Sequence, residues 1–329
     1  MKAIVFSKYG PPDVLQVRDI DKPAPGDDDV LIKVHAAEVT KADCEMRSLD
    51  FQVKWFLPLL RLYLGLTRPR KQVLGAYFSG EVEATGKAVS SFRPGDQVFG
   101  ATRMRLGAHS EYLCLPASYT IAPKPKNISF AEAAAVPLGG LNALHFMRRA
   151  NISIGEKVLI NGAGGSIGTF AVQIAKTMGA EVTAVDSTIK EDMLRRIGAT
   201  HFIDYAREDF TANDQTYDVI FSMVASTPYA KCINALNQGG RYIMANPRVS
   251  DMLRSVLTGW LTGKKAMFAF AGEKLEELLA LKKMIEDGTI KPVVDKVYSY
   301  EEAARSHHRV ETEQRLGTVV ISPSPDQTD

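Results

Sequence analysis

The chain has 329 residues, 45% of them hydrophobic and 24% charged, which is enough apolar material for a full core and excludes a disordered polymer. Its 40 Lys and Arg against 38 Asp and Glu leave a formal net charge of +2, which excludes a protein built to wrap a polyanion. The three cysteines, Cys44, Cys114 and Cys232, exclude a disulfide framework and a four-cysteine zinc knot, and suit a reducing compartment such as the cytoplasm.

At roughly 100–200 residues per domain, the length predicts two domains. Met1 to Phe6 reads as a strand and lacks the apolar run of a signal peptide. The first third is β-rich. Strands are predicted at Ala3 to Phe6, Val30 to Ala36, Gly80 to Ala84, Gln97 to Phe99 and Ser110 to Leu115. Pro, Gly and Asp clusters separate them, as in Arg93-Pro94-Gly95-Asp96. Many short strands of this kind predict an antiparallel barrel. Within this third, Trp55 to Leu66 is too short for a membrane span of about 20 residues and contains Pro58 and Arg61. Neither a membrane nor a nucleic acid is an expected partner.

Helical spacing begins at Phe130 and runs through Ala150. Strands and helices then alternate. The strands are Lys157 to Asn161, Glu181 to Val185, His201 to Ile203, Tyr217 to Phe221 and Gly240 to Ala245. The helices are Ser166 to Met178, Lys190 to Ile197 and Pro228 to Leu236. Such units imply a parallel sheet covered on both faces. A helix at Ser250 to Leu261, a strand at Ala266 to Phe270 and a helix at Glu273 to Asp287 follow. Lys291 to Ile321 reads as strand–helix–strand and either rejoins the first domain or stands apart from it. The polar tail after Ile321 reads as frayed.

The segment with the most chemistry is Gly162-Ala163-Gly164-Gly165-Ser166-Ile167-Gly168, which follows an apolar strand and opens a helix. Gly162 permits the tight turn, Gly164 lets backbone approach a diphosphate, and Gly168 lets the helix pack close to the sheet. The amides of Gly165, Ser166 and Ile167 lie at the helix N-terminus, where phosphate is favoured. Asp186 stands 24 residues after Gly162, at the end of the second strand. It either accepts from the ribose hydroxyls of a dinucleotide or starts the next helix. A carboxylate there repels a 2′-phosphate and favours NAD(H), while nearby Lys190, Arg195 and Arg196 keep NADP(H) open.

With these motifs the chain resembles the medium-chain dehydrogenase/reductase superfamily, in its zinc-lacking, quinone oxidoreductase-like branch. The blocks that carry the resemblance are MKAIVFSKYGPPDVLQV, LGAYFSGEVEATGKAVSSFRPGDQVFG, GAHSEYL, AAAVPLGGLNAL, NGAGGSIG, IGATHFIDY ending at Tyr205, and KPVVDKVYSYEEAARSHHRVETEQRLGTVVI. It implies an α/β fold in which a doubly wound Rossmann sheet is inserted in a GroES-like β-barrel catalytic domain. The barrel domain would comprise residues 1–122 and 271–329, and the Rossmann domain 123–270, with the site in the cleft between them. It also implies a homodimer or homotetramer, with Ala266 to Phe270 as the pairing edge strand.

Zinc members of the superfamily bind the metal with Cys, His and Cys. Laid on this sequence those positions hold Thr40, Ala76 (followed by Tyr77) and Leu138, none of which is a zinc donor. Cys44, His35 and His109 have no ligand spacing, so no metal is expected. Hydride from a nicotinamide then needs an acceptor that is already electrophilic, and an apolar quinone or α,β-unsaturated carbonyl qualifies. Alcohol or aldehyde dehydrogenation and nucleotide binding without turnover are the alternatives.

The catalytic candidates are Thr40, as a carbonyl donor or a strand-end cap, and Tyr77, as a proton donor or a packing aromatic. Tyr77 replaces an acidic residue of the relatives. Asn142 replaces a Thr that lies near the nicotinamide, and Glu45 stands where quinone reductases often carry Tyr. Asn142, the 162–168 glycine segment, Asp186, Lys190 and Tyr205 are the candidate cofactor residues. His109 reads as a surface or strand histidine. Gln52 to Arg70 reads either as a cover for an apolar substrate or as an amphipathic helix on the barrel.

Overall fold

The computed structural model describes residues 1–52, 57–269 and 271–324. The chain divides into two compact units. One holds Met1–Phe51, Pro58–Leu141 and Glu273–Asp329, and the other holds Gln52–Leu57 and Asn142–Gly272.

The first unit opens with β1 (Lys2–Val5), β2 (Gln16–Asp19), β3 (Asp29–Val39), α1 (Lys41–Ser48) and α2 (Leu57–Leu64). Then come β4 (Tyr77–Thr85), β5 (Gln97–Ala101), β6 (Tyr112–Pro116), β7 (Ile121–Pro123), α3 (Phe130–Ala134) and α4 (Val136–Ala150). All five strands expected in this third form, each shifted or extended by a few residues. Of the expected 52–70 insert, 53–56 lie outside the described residues, and Leu57–Leu64 is helical.

The second unit is built from β8 (Lys157–Asn161), α5 (Ser166–Thr177), β9 (Glu181–Asp186), α6 (Glu191–Arg196) and β10 (His201–Asp204). Then follow β11 (Tyr217–Ser222), α7 (Tyr229–Asn234), β12 (Leu236–Met244), α8 (Val249–Thr262) and β13 (Lys265–Phe268). Its six strands run parallel in the order β10-β9-β8-β11-β12-β13. The strand order reverses between β8 and β11, and the loop after β8 leaves the sheet at that switch point. A sheet covered on both faces needs near-continuous apolar strands, and Val158, Leu159 and Ile160 are wholly buried. One face packs Leu159, Val185, Ile220, Tyr229, Cys232 and Tyr242 into a single core.

The chain then returns to the first unit through α9 (Leu275–Glu286), β14 (Val294–Ser299), α10 (Ala303–Glu311) and β15 (Thr318–Ser322). β15 pairs antiparallel with β3, Val319 facing Val39 and Ile321 facing Ala37, so the terminal segment does rejoin the first unit. The sheet runs β14-β15-β3-β4-β5-β7, with β6 also on β3. Its alternating strands turn Val30, Ile32, Val34, Phe78, Val98, Leu113, Val319 and Ile321 into one core.

The units divide between Leu141 and Asn142 and between Gly272 and Glu273, whereas the resemblance implied 122/123 and 270/271. Packing accounts for the difference: Phe130, Ala131 and Ala134 of α3 bury against Ala36 of β3 and Val320 of β15. The predicted single helix from Phe130 to Ala150 is broken at Ala135, after a Ser129–Glu132 capping box starts the first piece. Among the described residues, no helix is long and apolar enough to cross a membrane.

Candidate functional site

β8 delivers the chain into the glycine turn. Gly162 has φ +88°, a left-handed conformation that a side chain strains. The Gly162 and Ala163 amides donate to the Val185 carbonyl at 3.0 and 3.2 Å, which ties the turn to β9. A Cβ on Gly168 would lie 2.4 Å from the Ala163 carbonyl oxygen and 2.5 Å from that of Gly162. Only glycine therefore lets the first turn of α5 rest on the loop. Gly165 is the N-cap of α5 and no side chain caps it, an arrangement that fits an anion at the helix start. Ser166 is buried, and Ile167 is half-buried beside it. These features fit a dinucleotide diphosphate.

Asp186 ends β9 and is 6% exposed. Its Oδ2 accepts from the Gly164 amide at 2.7 Å and its Oδ1 from the Ser187 amide at 2.8 Å. Lys190, 3% exposed, places Nζ 2.8 Å from Oδ1. Of the cations expected near Asp186, Lys190 is the one that matches its charge. Lys190 also crosses the loop, since a Cβ on Gly164 would meet its Cδ at 2.3 Å. Tyr205 follows β10, donates its amide N–H to the Asp186 carbonyl at 3.3 Å and is 61% exposed. Asn142 is half-buried on α4.

In the first unit Thr40 is buried and starts α1. Its Oγ1 accepts from the Asp43 amide at 3.0 Å and donates to Asp43 Oδ2 at 2.6 Å. The cap reading of Thr40 is the one its geometry matches, and its proton is committed to Asp43. The other Asp43 oxygen accepts from the Gly75 amide at 3.0 Å. Thr40 and Asp43 therefore fix the segment that leads into Tyr77 at the start of β4. The Tyr77 phenol and the Glu273 carboxyl lie close enough to shift each other's proton affinity. Burial pushes the phenol well above its usual range, helped by the charges of Glu273, Glu38 and Asp43. Burial likewise raises Glu273, against the influence of nearby Tyr77 and the charge of Arg103. The Glu273 backbone is held by Thr120, whose Oγ1 donates to its carbonyl at 2.7 Å.

Cys44 lies behind this segment with Sγ 3.4 Å from His307 Nδ1. Burial pushes the thiol up and the imidazole well down, so both are neutral. His109 is not a surface residue: it is buried, with Nε2 3.0 Å from the Glu38 carbonyl oxygen. His35 stacks on Phe130 at 4.3 Å. Among the described residues, no group of three or more His, Cys, Asp or Glu is placed to hold a metal ion. With Thr40, Ala76, Tyr77 and Leu138 at the ligand positions, the donor chemistry does not fit zinc.

Sequence reasoning missed Asp43 and Glu273. Asp43 left a readable trace, the Thr40-x-x-Asp43 capping box. Glu273 left none, because only the return of the chain brings it to Tyr77. Asn161 was also passed over. Its Nδ2 donates to Ser222 Oγ at 3.2 Å and Thr227 Oγ1 at 2.9 Å, linking β8 to the β11 loop across the switch point.

Known proteins share these features. Residues 26–126 match the alcohol dehydrogenase GroES-like domain, and residues 197–321 match the zinc-binding dehydrogenase family. A quinone oxidoreductase from Sus scrofa is 32% identical over 94% of this chain and 94% of its own. An NADPH-dependent alkenal/one oxidoreductase from Arabidopsis thaliana is 31% identical over 99% of this chain and 80% of its own. The structure of a quinone oxidoreductase from Coxiella burnetii superposes with a TM-score of 0.85 at 28% identity, covering 98% of this chain and 99% of that one. A GroES-like unit, a Rossmann unit with its glycine turn at the switch point, and full-length likeness at this level make the chain a nicotinamide-dependent oxidoreductase of the medium-chain dehydrogenase/reductase superfamily, in its quinone oxidoreductase-like branch.

Proposed function

We propose that the chain reduces quinones or α,β-unsaturated carbonyls with NAD(P)H and without a bound metal. The observation that carries this reading is the donor set of the first unit. Where a metal would polarise a carbonyl, the chain has a phenol, Tyr77, two residues after the Gly75 amide that Asp43 holds. Such a group suits an acceptor that is activated beforehand and needs a proton rather than a strong Lewis acid. The activities in the names of the porcine and Arabidopsis relatives agree with this substrate class.

A bound reduced nicotinamide supplies hydride. The protein's part is to hold the diphosphate on the 162–168 turn and the adenine ribose beside Asp186, Lys190 and Tyr205. Asn142 is the candidate contact for the nicotinamide end. Tyr77 gives a proton to the reduced acceptor, and Thr40 acts as a positioning residue through Asp43.

The Asp186 carboxylate favours NAD(H), and of the cations named as its possible offset Lys190 is the one paired with it, which supports use of both nucleotides. A homodimer through the open edge of β13 is the proposed assembly, supported by the exposed apolar face of α8 (Leu253, Val256, Leu257 and Trp260) next to that strand. Three unpaired cysteines suit the cytoplasm.

The test is an assay of purified protein with NADH and NADPH against a panel of quinones, enones and alcohols. Turnover of quinones or enones in preference to alcohols is expected. Nucleotide binding with no acceptor reduced would leave a nucleotide-binding protein, and turnover dependent on added zinc would sink the metal-free reading.

A further inference from the structure

We infer that Asn161 is a positioning residue for the cofactor. Through the hydroxyls of Ser222 and Thr227 it holds the 223–227 loop as a preformed seat for the nicotinamide half of the dinucleotide, with the Val224 side chain as the apolar contact. The inference rests on the proposed use of NAD(P)H and adds a residue that grips the loop rather than the nucleotide.

The network starts from buried atoms. Asn161 ends β8 and is 7% exposed, while Ser222 ends β11 and is 3% exposed. The two stand opposite each other in the parallel pairing at the switch point. Val158, Leu159 and Ile160 before Asn161 are wholly buried and apolar, so packing alone would be served by another aliphatic side chain. Instead Asn161 Nδ2 donates to Ser222 Oγ at 3.2 Å and to Thr227 Oγ1 at 2.9 Å, which uses both of its hydrogens. Thr227 Oγ1 donates onward to the Val224 carbonyl at 2.8 Å, and the Thr227 amide reaches the same oxygen at 3.2 Å. Ser222 Oγ lies 3.2 Å from Thr227 Oγ1 and 3.4 Å from that carbonyl. Met223 is fastened at both ends: its amide donates to the Asn161 carbonyl at 3.1 Å, and its carbonyl accepts from Asn246 Nδ2 at 2.8 Å. Moving the loop breaks a buried polar network and strands its donors, which costs more than the loss of surface hydrogen bonds.

What this rigidity serves follows from what the loop touches. A Cβ on Gly162, the first glycine of the nucleotide turn, would lie 3.5 Å from Val224 Cγ2 and 3.7 Å from Met223 Cβ, so both side chains flank the turn. With its carbonyl committed to the network, Val224 is still 40% exposed. A dinucleotide on an open parallel sheet lies across the switch point, with its diphosphate at the glycine turn. Asp186 and Lys190 put the adenine ribose on the β9 side of β8. The other half then falls on the β11 side, where the 223–227 loop is. A flat ring suits an exposed apolar side chain there, and a seat fixed in advance spares the ordering cost of binding.

Titration calorimetry with NADPH and with its adenine half, adenosine 2′,5′-bisphosphate, reads the two sides of the turn separately; NADH with ADP does the same for the unphosphorylated nucleotide. Asn161→Leu keeps the volume and removes the donors. It should weaken dinucleotide binding roughly tenfold, the effect of two hydrogen bonds, and leave the adenine half within about twofold of the wild type. Thr227→Val should act in the same direction by roughly threefold, and the double variant should bind no more weakly than Asn161→Leu, because both break one network. Should Asn161→Leu fail to fold, Thr227→Val carries the comparison alone, since Thr227 is half-buried in a loop. In the wild type, hydrogen exchange across 223–227 should slow with the dinucleotide and not with the adenine half. Equal losses for the dinucleotide and its adenine half, or no loss for either, overturn the inference. A wild type that binds no nucleotide at all removes the cofactor reading and this inference with it. Binding is measured without an acceptor, so failure to reduce quinones or enones would leave the result standing.

Discussion

At the scale of single residues, the nucleotide turn tolerates little. An alanine at 168 puts a methyl 2.4 Å from a backbone oxygen that cannot swing aside. Gly168→Ala should cost about 2–3 kcal/mol and weaken nucleotide binding, read by thermal melting and by quenching of protein fluorescence with NADPH. The Asp186–Lys190 pair is a different case, two charges buried together beside Gly164. Lys190→Met leaves the carboxylate with amide donors only and should cost about 3–5 kcal/mol. Surviving enzyme should shift its kcat/KM ratio toward NADH by roughly tenfold, the effect of one cation lost beside a 2′-phosphate. Asp186→Asn should shift the ratio toward NADPH, and equal ratios in all three proteins would refute the charge argument. Asp186 itself was readable from its distance after Gly162. Lys190, four residues on, was readable with Arg195 and Arg196 as a cation that could offset it; that Lys190 rather than the two arginines makes the buried pair was not, because the spacing alone does not choose among them.

At the scale of elements, β12 is fastened to the loop between α4 and β8 by one side chain. Arg241 grips both oxygens of Glu156 and donates its Nε to the Ala150 carbonyl at 2.9 Å. The arginine holds the Glu156 carboxyl below the usual carboxylate range, with a smaller opposing effect of burial. A depressed folded-state pKa means that this stabilisation is complete above the unfolded value of about 4.3 and is lost as pH falls through the folded one. Arg241→Ala should lose about 1–3 kcal/mol at pH 7. The loss should shrink toward acid pH in parallel denaturant titrations; a pH-independent difference would show that packing, not charge, is responsible. The parallel-sheet elements were readable to within a few residues because each buries a contiguous apolar run. The split of α3 from α4 was not, since their shared apolar spacing continues straight across Ala135. What separates them is docking of Phe130 and Ala134 on strands β3 and β15, a contact with partners far away in the chain.

For the molecule as a whole, the open edge of β13 and the neighbouring face of α8 are the surfaces proposed to be covered in a homodimer. Trp260 is 93% exposed and Leu253 69%. Trp260→Glu together with Leu253→Lys should lower the mass of the assembly in light scattering, and an unchanged mass would remove α8 from the interface. Completeness of the first unit depends on its last strand. Truncation after Gly288 deletes β14, α10 and β15, and with them Tyr298, Val310, Val319 and Ile321 of the core. The truncated chain should lose the cooperative melt of the first unit while the parallel sheet keeps its own transition. A single intact melt would contradict this division. The interrupted order of the two units followed from family likeness. Spacing and periodicity alone left open where the final strand–helix–strand belongs, because pairing between distant strands has no local signature.

The pairing of β15 with β3 also bears on how the chain is made. β3 is synthesised before the inserted unit, but the strand that covers Ala37 to Val39 is synthesised only after it. Every helix and strand of the inserted unit is finished before that partner exists. Its sheet can close while translation continues, whereas the barrel must wait with part of its longest strand unpaired. Nascent chains stalled between the inserted unit and β15 should therefore carry one folded unit and one sticky one, and the waiting strand is the place where a holding chaperone would be needed most.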